Sequence, residues 1–181
     1  MENQTADLDE TREETHEDTR EDLLGIYLND HLAGATAGVE RARYLAEAEQ
    51  DPVISAAVRP LAVEITQDRA SLLEIMRQLD VPVHRYKLAA GRLAEKAGRL
   101  KTNGRLVRRS PLTSLVELEA LRLGVSAKAA GWETLRRLAD EDERLDAARL
   151  DALLGRARTQ LRTLEDLHET QTAETFRTAA A

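Results

Sequence analysis

The sequence predicts an all-α protein built as a four-helix bundle, and three observations carry this prediction. Of its 181 residues, 42% are hydrophobic but only 3% are aromatic, a composition that favours helices over β-strands. Apolar residues recur at three- and four-residue steps over four long segments. Helix-capping residues and turn signals separate these segments. A chain of this length can bury the core of one domain.

The first segment, residues 1–20, is acidic and has no apolar stripe. It contains eight acidic and two basic side chains, and three similar tetrads begin at Thr11, Thr15 and Thr19. Such a segment cannot bury enough apolar surface to offset its ordering entropy. We therefore expect a disordered acidic tail or a frayed helical extension, followed by a single helical domain over residues 21–178.

The first two helices are predicted as a closely connected pair. Helix A covers about residues 21–50, with an apolar stripe of Leu24, Leu28, Leu32, Ala35, Val39, Ala42 and Ala46. Asp51 and Pro52 are typical of an N-cap and a first helical residue, so helix B begins there and continues to residue 79. Pro60 lies inside helix B and predicts a kink or a break.

Residues 80–111 predict a long crossover between helices B and C. Their apolar positions have helical spacing and are Tyr86, Ala90, Leu93, Ala97 and Leu100. Ser110 and Pro111 repeat the cap-and-proline pattern and open helix C. Two closely connected pairs joined by a crossover of about thirty residues match the connectivity of ferritin-like bundles. Helices B and C should then run parallel.

Helix C is predicted to end near residue 139, and helix D to follow it at once. Asp140 and Glu143 have the spacing of a capping box, which places the first residue of helix D near Glu141. Its apolar stripe is Leu150, Leu153, Ala157, Leu161, Leu164 and Leu167.

Four polar residues occupy positions on or beside these apolar stripes. Asp68 interrupts the stripe of helix B, and Lys128 interrupts that of helix C. His31 lies beside the stripe of helix A, and Gln160 faces the core from helix D. A buried charge is costly without a partner, so we expect a mid-bundle polar layer centred on an Asp68–Lys128 ion pair. The layer fixes helix register or, alternatively, forms a small polar pocket for an anion or a proton-dependent switch.

Glycines are unexpectedly frequent within two of the helices. Gly34 and Gly38 lie near His31 on helix A, and Gly124 and Gly131 lie on helix C. Each costs a helix about 1 kcal/mol relative to alanine. Close approach of helices would explain them, and so would a ligand that lies against the exposed backbone.

A di-iron site is an alternative that the pattern only partly satisfies. Such a site needs a Glu from two helices and a Glu-x-x-His motif from the other two. Glu165 and His168 have the motif spacing, whereas helix B offers only Glu64, and Glu117 is a candidate single carboxylate. Glu64 and Glu165 are predicted to lie towards the flanks of their helices, and only His168 and Glu117 to face inward. We therefore expect no cofactor, with iron as the alternative.

Charge and composition limit the remaining classes of function. The chain has no cysteine and a net charge of −7. Its apolar runs are too short for a transmembrane helix, so we expect a cytoplasmic protein. Basic residues concentrate in the crossover, and an anion site there would use Arg85, Lys87, Arg92, Lys96, Arg99, Lys101 and Arg105. We do not expect nucleic acid as a partner, because the acidic tail opposes it and Tyr86 is the sole aromatic available for stacking.

Three segments resemble an uncharacterised family of bacterial helical-bundle proteins of ferritin-like type. They cover residues 27–40, 94–106 and 118–125, beginning Tyr-Leu-Asn-Asp-His, Ala-Glu-Lys-Ala-Gly and Leu-Glu-Ala-Leu-Arg. The resemblance extends over about residues 21–176. It implies the same fold and adds no catalytic residue.

The sequence thus favours a non-enzymatic helical bundle that acts by protein association, in particular as a homodimer. Helix C carries apolar residues beyond its core stripe, namely Leu112, Val116, Leu123, Ala127 and Leu138. They must cover the crossover or a second subunit. The alternatives are a metal-dependent oxidase or iron-handling protein, and anion or nucleic-acid binding through the basic crossover.

Overall fold

A computed structural model describes residues 2–49, 51–84 and 111–178. Within these ranges the chain forms four helices: α1 (Glu2–Ala48), α2 (Pro52–Gln78), α3 (Pro111–Leu138) and α4 (Ala147–Thr178). No strand occurs among the described residues. The prediction of an all-α four-helix bundle is therefore confirmed.

The helices form a closed ring in which α1 packs against α2 and α3, while α4 packs against α3 and α2. Helix α2 is antiparallel to α1, because Ser55 contacts Ala46 while Arg69, further along α2, contacts Thr36. Helices α1 and α3 are also antiparallel, because Tyr27 contacts Thr134 while Arg41, further along α1, contacts Glu117, earlier on α3. Helices α2 and α3 consequently run parallel, as predicted. Most of the predicted crossover, residues 85–110, lies outside the described residues.

Helix α1 begins at Glu2 and so includes the segment 2–20, for which the sequence predicts disorder or a helical extension. The start of α2 agrees with the predicted cap, since Asp51 Oδ1 accepts from the Val53 amide at 2.7 Å and from the Ile54 amide at 3.2 Å. Helix α2 also continues through Pro60, so of the two predicted outcomes, a kink or a break, the break does not occur. None of the described helices could span a membrane.

The predicted start of the fourth helix is also wrong. Helix α4 begins at Ala147, six residues after Glu141. Asp142 Oδ1 accepts from the Arg144 amide at 3.0 Å, which holds the intervening chain in a turn. Asp146 Oδ1 accepts from the Arg149 amide at 3.0 Å and caps the helix in place of Asp140. This turn buries Leu145 in the core.

The core consists of two apolar clusters, one towards each end of the bundle. The first lies near the α1–α2 turn and includes Leu45, Val58 and Leu118. The second lies near the α3–α4 turn and includes Leu28, Met76 and Trp132. Asp68, Lys128 and Gln160 fall between the two clusters along their helices. The middle of the bundle is therefore where the polar side chains meet.

Candidate functional site

A cluster of five polar side chains joins α2, α3 and α4 at mid-height; we call it the polar cluster. Lys128 Nζ on α3 donates to Asp68 Oδ2 on α2 and to Gln160 Oε1 on α4. Arg156 Nη2 donates to the other Asp68 oxygen. Gln160 Nε2 donates to Glu64 Oε2 at 2.8 Å. Two carboxylates thus balance two cations, and the Gln160 amide links them.

Burial dominates the electrostatics of this cluster. The Asp68 residue is 1% exposed, so its charge depends on the two cations that contact it. Burial lowers the pKa of Lys128, and the Asp68 carboxylate opposes this effect by raising it. Because Lys128 Nζ donates to two acceptors, we expect the charged ammonium form at neutral pH.

Of the four side chains predicted for the polar layer, the structure brings Asp68, Lys128 and Gln160 into direct contact and places His31 apart from them. The His31 ring lies edge-on to the Tyr27 ring, with centroids 4.4 Å apart. Burial lowers the pKa of His31, and the Asp30 carboxylate opposes this effect. His31 therefore acts as a neutral, partly apolar ring at neutral pH.

Sequence reasoning missed Arg156, the second cation on Asp68. A signal was available, because Arg156 precedes the core-facing Gln160 by four residues and so shares its face of α4. A long side chain can reach a buried carboxylate from the edge of a helix while its stem covers apolar surface. In this way Arg156 on α4 supplies the second cation that contacts Asp68.

The four residues considered for a metal site are held in separate pairs. Glu64 accepts from Gln160, and Glu117 Oε2 is 2.6 Å from Arg41 Nη1. Glu165 Oε1 is 2.8 Å from Arg122 Nη2, and His168 Nε2 is 3.1 Å from Glu119 Oε1. Within the described ranges, no three His, Asp or Glu side chains form a group that could hold a metal ion.

A cavity of about 480 Å³ lies between α1 and α3, and α2 contributes to its wall. On α1 its lining extends from Tyr27 to Arg41, about 21 Å along the helix axis. Most of the lining is apolar or glycine. Asp68, Arg69 and Lys128 provide polar groups between its ends. The cavity is thus an elongated apolar groove with a charged middle.

Glycines line this cavity and keep it open. A Cβ atom added at Gly34, Gly38 or Gly124 would meet nothing within 4 Å among the described residues. Close packing among the four described helices therefore does not explain these three glycines. Gly131 differs, since a Cβ there would lie 3.1 Å from two atoms of the His31 ring. Only Gly131 has its backbone covered by a neighbouring side chain.

The cations that line the cavity differ in how they are neutralised. Lys128 contacts Asp68, and Arg41 contacts Glu117. Arg69 donates through Nε to Thr36 Oγ1 at 2.9 Å and has no carboxylate partner in the part of the chain that the structure describes. The Thr36 hydroxyl in turn donates to the Leu32 carbonyl at 2.8 Å, which fixes its position. Arg69 was not anticipated from the sequence, because it lies off the apolar stripe of α2, where an arginine is common.

One end of the cavity is aromatic. Tyr27, His31 and Trp132 line it, together with Leu72 and Leu135. Trp132 is the single tryptophan of the chain and is 3% exposed. Its indole N–H is buried and has no acceptor among the described residues. An unsatisfied buried donor costs about 1–3 kcal/mol, so a hydrogen-bond acceptor here would be stabilising.

The basic residues considered for anion binding, Arg85 to Arg105, lie outside the described residues. Comparisons with protein-family models, with curated proteins and with solved structures find no match to this chain. The resemblance to ferritin-like bundle proteins therefore stays a prediction from the sequence.

Proposed function

We propose that the protein is a non-enzymatic binding protein that holds a small apolar molecule in the cavity between α1 and α3. The cavity itself carries this proposal. Its volume of about 480 Å³ falls in the range of roughly 300–1,000 Å³ typical of small-molecule sites. Its mostly apolar lining with a few polar groups is also typical of such sites.

The glycines support a binding role. Each interior glycine costs a helix about 1 kcal/mol relative to alanine. At Gly34, Gly38 and Gly124 no described residue packs closely against the glycine, so helix packing among the described residues does not offset this cost. A ligand lying against the exposed backbone would use the space that side chains would otherwise fill.

The polar cluster supports binding rather than catalysis. Asp68 and Lys128 line the cavity but satisfy each other, with Arg156 and Gln160 completing the set. Groups held in this way are poor proton donors or nucleophiles, because their reactive atoms are already engaged. Their role in the proposal is to hold α2, α3 and α4 at a fixed spacing beside the cavity.

The test uses N-phenyl-1-naphthylamine, a neutral apolar dye that becomes fluorescent in an apolar site. We expect saturable binding to the protein and loss of most of that binding in Gly38→Leu, whose new side chain would occupy the cavity. Gly155→Leu is the matched control, because Gly155 lies on α4, outside the cavity, and its Cβ position is also open. No saturable signal, or equal binding by both variants, would refute the proposal.

Self-association through α3 is a second candidate, favoured by one observation. Leu112, Val116 and Leu123 are 51%, 42% and 72% exposed and recur on one face of the helix. A face of this kind marks a protein contact when the exposed residues are contiguous. Light scattering should then give the mass of a dimer, and Leu123→Glu should reduce it to 20.1 kDa. A monomeric wild-type protein would exclude this candidate.

A further inference from the structure

We infer that the cavity recognises an aromatic monocarboxylate, with its carboxylate on Arg69 and its ring between His31 and Trp132. This inference rests on the proposed function and adds the chemical class of the ligand. Three observations lead to it: the charge balance of the cavity, the geometry of Arg69 and the aromatic end.

Arg69 is the lining cation with which a negatively charged ligand would pair. Lys128 is neutralised by Asp68, and Arg41 contacts Glu117. Arg69 remains as the lining cation without a carboxylate partner among the described residues. Asp30 also lines the cavity, beside His31, and its carboxylate disfavours a negative charge at that end of the ligand. A monocarboxylate therefore fits this balance better than a phosphate dianion.

The geometry of Arg69 suits a carboxylate. Its Nε is engaged by Thr36, which anchors the guanidinium, while no described residue contacts its two terminal nitrogens. A planar guanidinium binds carboxylates through two parallel hydrogen bonds, and an anchored one loses little entropy on doing so. Thr36 is itself buried and fixed by the Leu32 carbonyl, so the cation is pre-positioned.

The aromatic end lies within reach of this carboxylate position. Arg69 and Leu72 both line the cavity from α2, and they are three residues apart, about 4.5 Å along the helix axis. Because Leu72 lies at the aromatic end, an aryl carboxylate bound to Arg69 would extend towards His31 and Trp132. A ring placed there would contact His31 and Trp132 in the offset or edge-on arrangements that aromatic groups prefer. An aliphatic acid would fill the same space without these contacts.

The experiment is calorimetric titration with 2-naphthoate, with neutral 2-naphthylmethanol and with aliphatic octanoate. We expect 2-naphthoate to bind most tightly. Arg69→Gln should weaken 2-naphthoate roughly ten- to hundredfold while leaving 2-naphthylmethanol unchanged, because only the carboxylate loses a charged donor. Arg69→Lys should give an intermediate loss of affinity, since lysine keeps the positive charge but cannot form the two parallel hydrogen bonds of a guanidinium.

Arg59→Gln is the matched control, because Arg59 is an exposed arginine of the same helix and does not line the cavity. Equal affinity of Arg69→Gln and Arg59→Gln for 2-naphthoate would overturn the inference, as would tighter binding of octanoate. If the naphthylamine dye and 2-naphthylmethanol bind in either case, the binding function stands and only the ligand class is wrong. If no probe binds, both proposals fail.

Discussion

Two interfaces on opposite sides of the bundle differ in what fills them. Between α2 and α4, charged and amide side chains cross the gap, with Asp68 against Arg156 and Glu64 against Gln160. Between α1 and α3, glycines face one another across a cavity of about 480 Å³. The first interface is bridged by directional polar contacts, whereas the second is lined by small residues that leave space.

The difference shows that a polar residue in a bundle core can support a cavity without being its ligand. Asp68 lines the cavity, yet both of its carboxylate oxygens are engaged by cations. Arg69, the next residue in the chain, is anchored by Thr36, and its terminal nitrogens have no hydrogen-bond partner among the described residues. Of these two adjacent residues of α2, Asp68 thus contacts α4 across the α2–α4 interface, whereas Arg69 contacts α1 and lines the cavity.

Disrupting the filled interface should have the largest effect. Asp68→Asn removes the charge that neutralises Lys128 and Arg156, and it leaves the largely buried Lys128 ammonium without the carboxylate that it contacts. We expect a loss of roughly 3–5 kcal/mol in the free energy of unfolding, measured by urea denaturation.

The control for Asp68 is Asp151→Asn, which also breaks an ion pair between two helices. Asp151 Oδ2 is 3.1 Å from Arg136 Nε, but its side chain is 60% exposed. Solvent screens such a pair, so we expect a loss of about 0–1 kcal/mol. Similar losses for the two variants would mean that the polar cluster is not buried in solution.

Adding methyl groups to the open interface should have a smaller effect of opposite sign. Gly124→Ala should raise the free energy of unfolding by up to about 1 kcal/mol, because its Cβ position is open and alanine is the better helix former. Gly131→Ala should gain less, since its Cβ would lie 3.1 Å from the His31 ring. Urea denaturation measures both.

Gly155→Ala is the control for these two variants, because Gly155 lies on α4, outside the cavity, and a Cβ there would also meet no described residue within 4 Å. It should be stabilised as much as Gly124→Ala. If Gly124→Ala instead destabilises the protein while Gly155→Ala stabilises it, the groove at Gly124 is filled and the contrast between the interfaces disappears.

The smallest expected effect concerns pH. Burial lowers the pKa of His31 below its ordinary value of 6.5, and Asp30 opposes this. The unfolded chain therefore binds a proton at higher pH than the folded chain does. The free energy of unfolding should fall as the pH drops below 6.5 and should level off below the pKa of the folded state.

His31→Phe keeps a ring against Tyr27 and removes the titration, so it should reduce the slope of stability against pH in this window. Measurement at pH 8, where the histidine is neutral in both states, isolates any change in packing. An unchanged slope between pH 5 and 7 would show that His31 does not contribute to it.

Much of the fold could be predicted from the sequence because helix formation and apolar periodicity are local. The cap at Asp51 follows from the chemistry of the Asp-Pro pair, and the structure has it there. The start of α4 was predicted wrongly because Asp140, Asp142 and Asp146 could each act as an N-cap, and local sequence does not show which of them the helix uses. The burial of Leu145 accompanies the start at Ala147.

The sequence by itself determined that α2 and α3 each carry a charge on an apolar face, so that Asp68 and Lys128 each required a partner. Only the tertiary structure decided that Arg156 shares Asp68, that Arg69 faces the cavity and that Gly34, Gly38 and Gly124 border open space. The physical reason is geometric. Periodicity specifies which face of a helix is buried, whereas the spacing and rotation between helices decide which side chains meet and where a cavity remains.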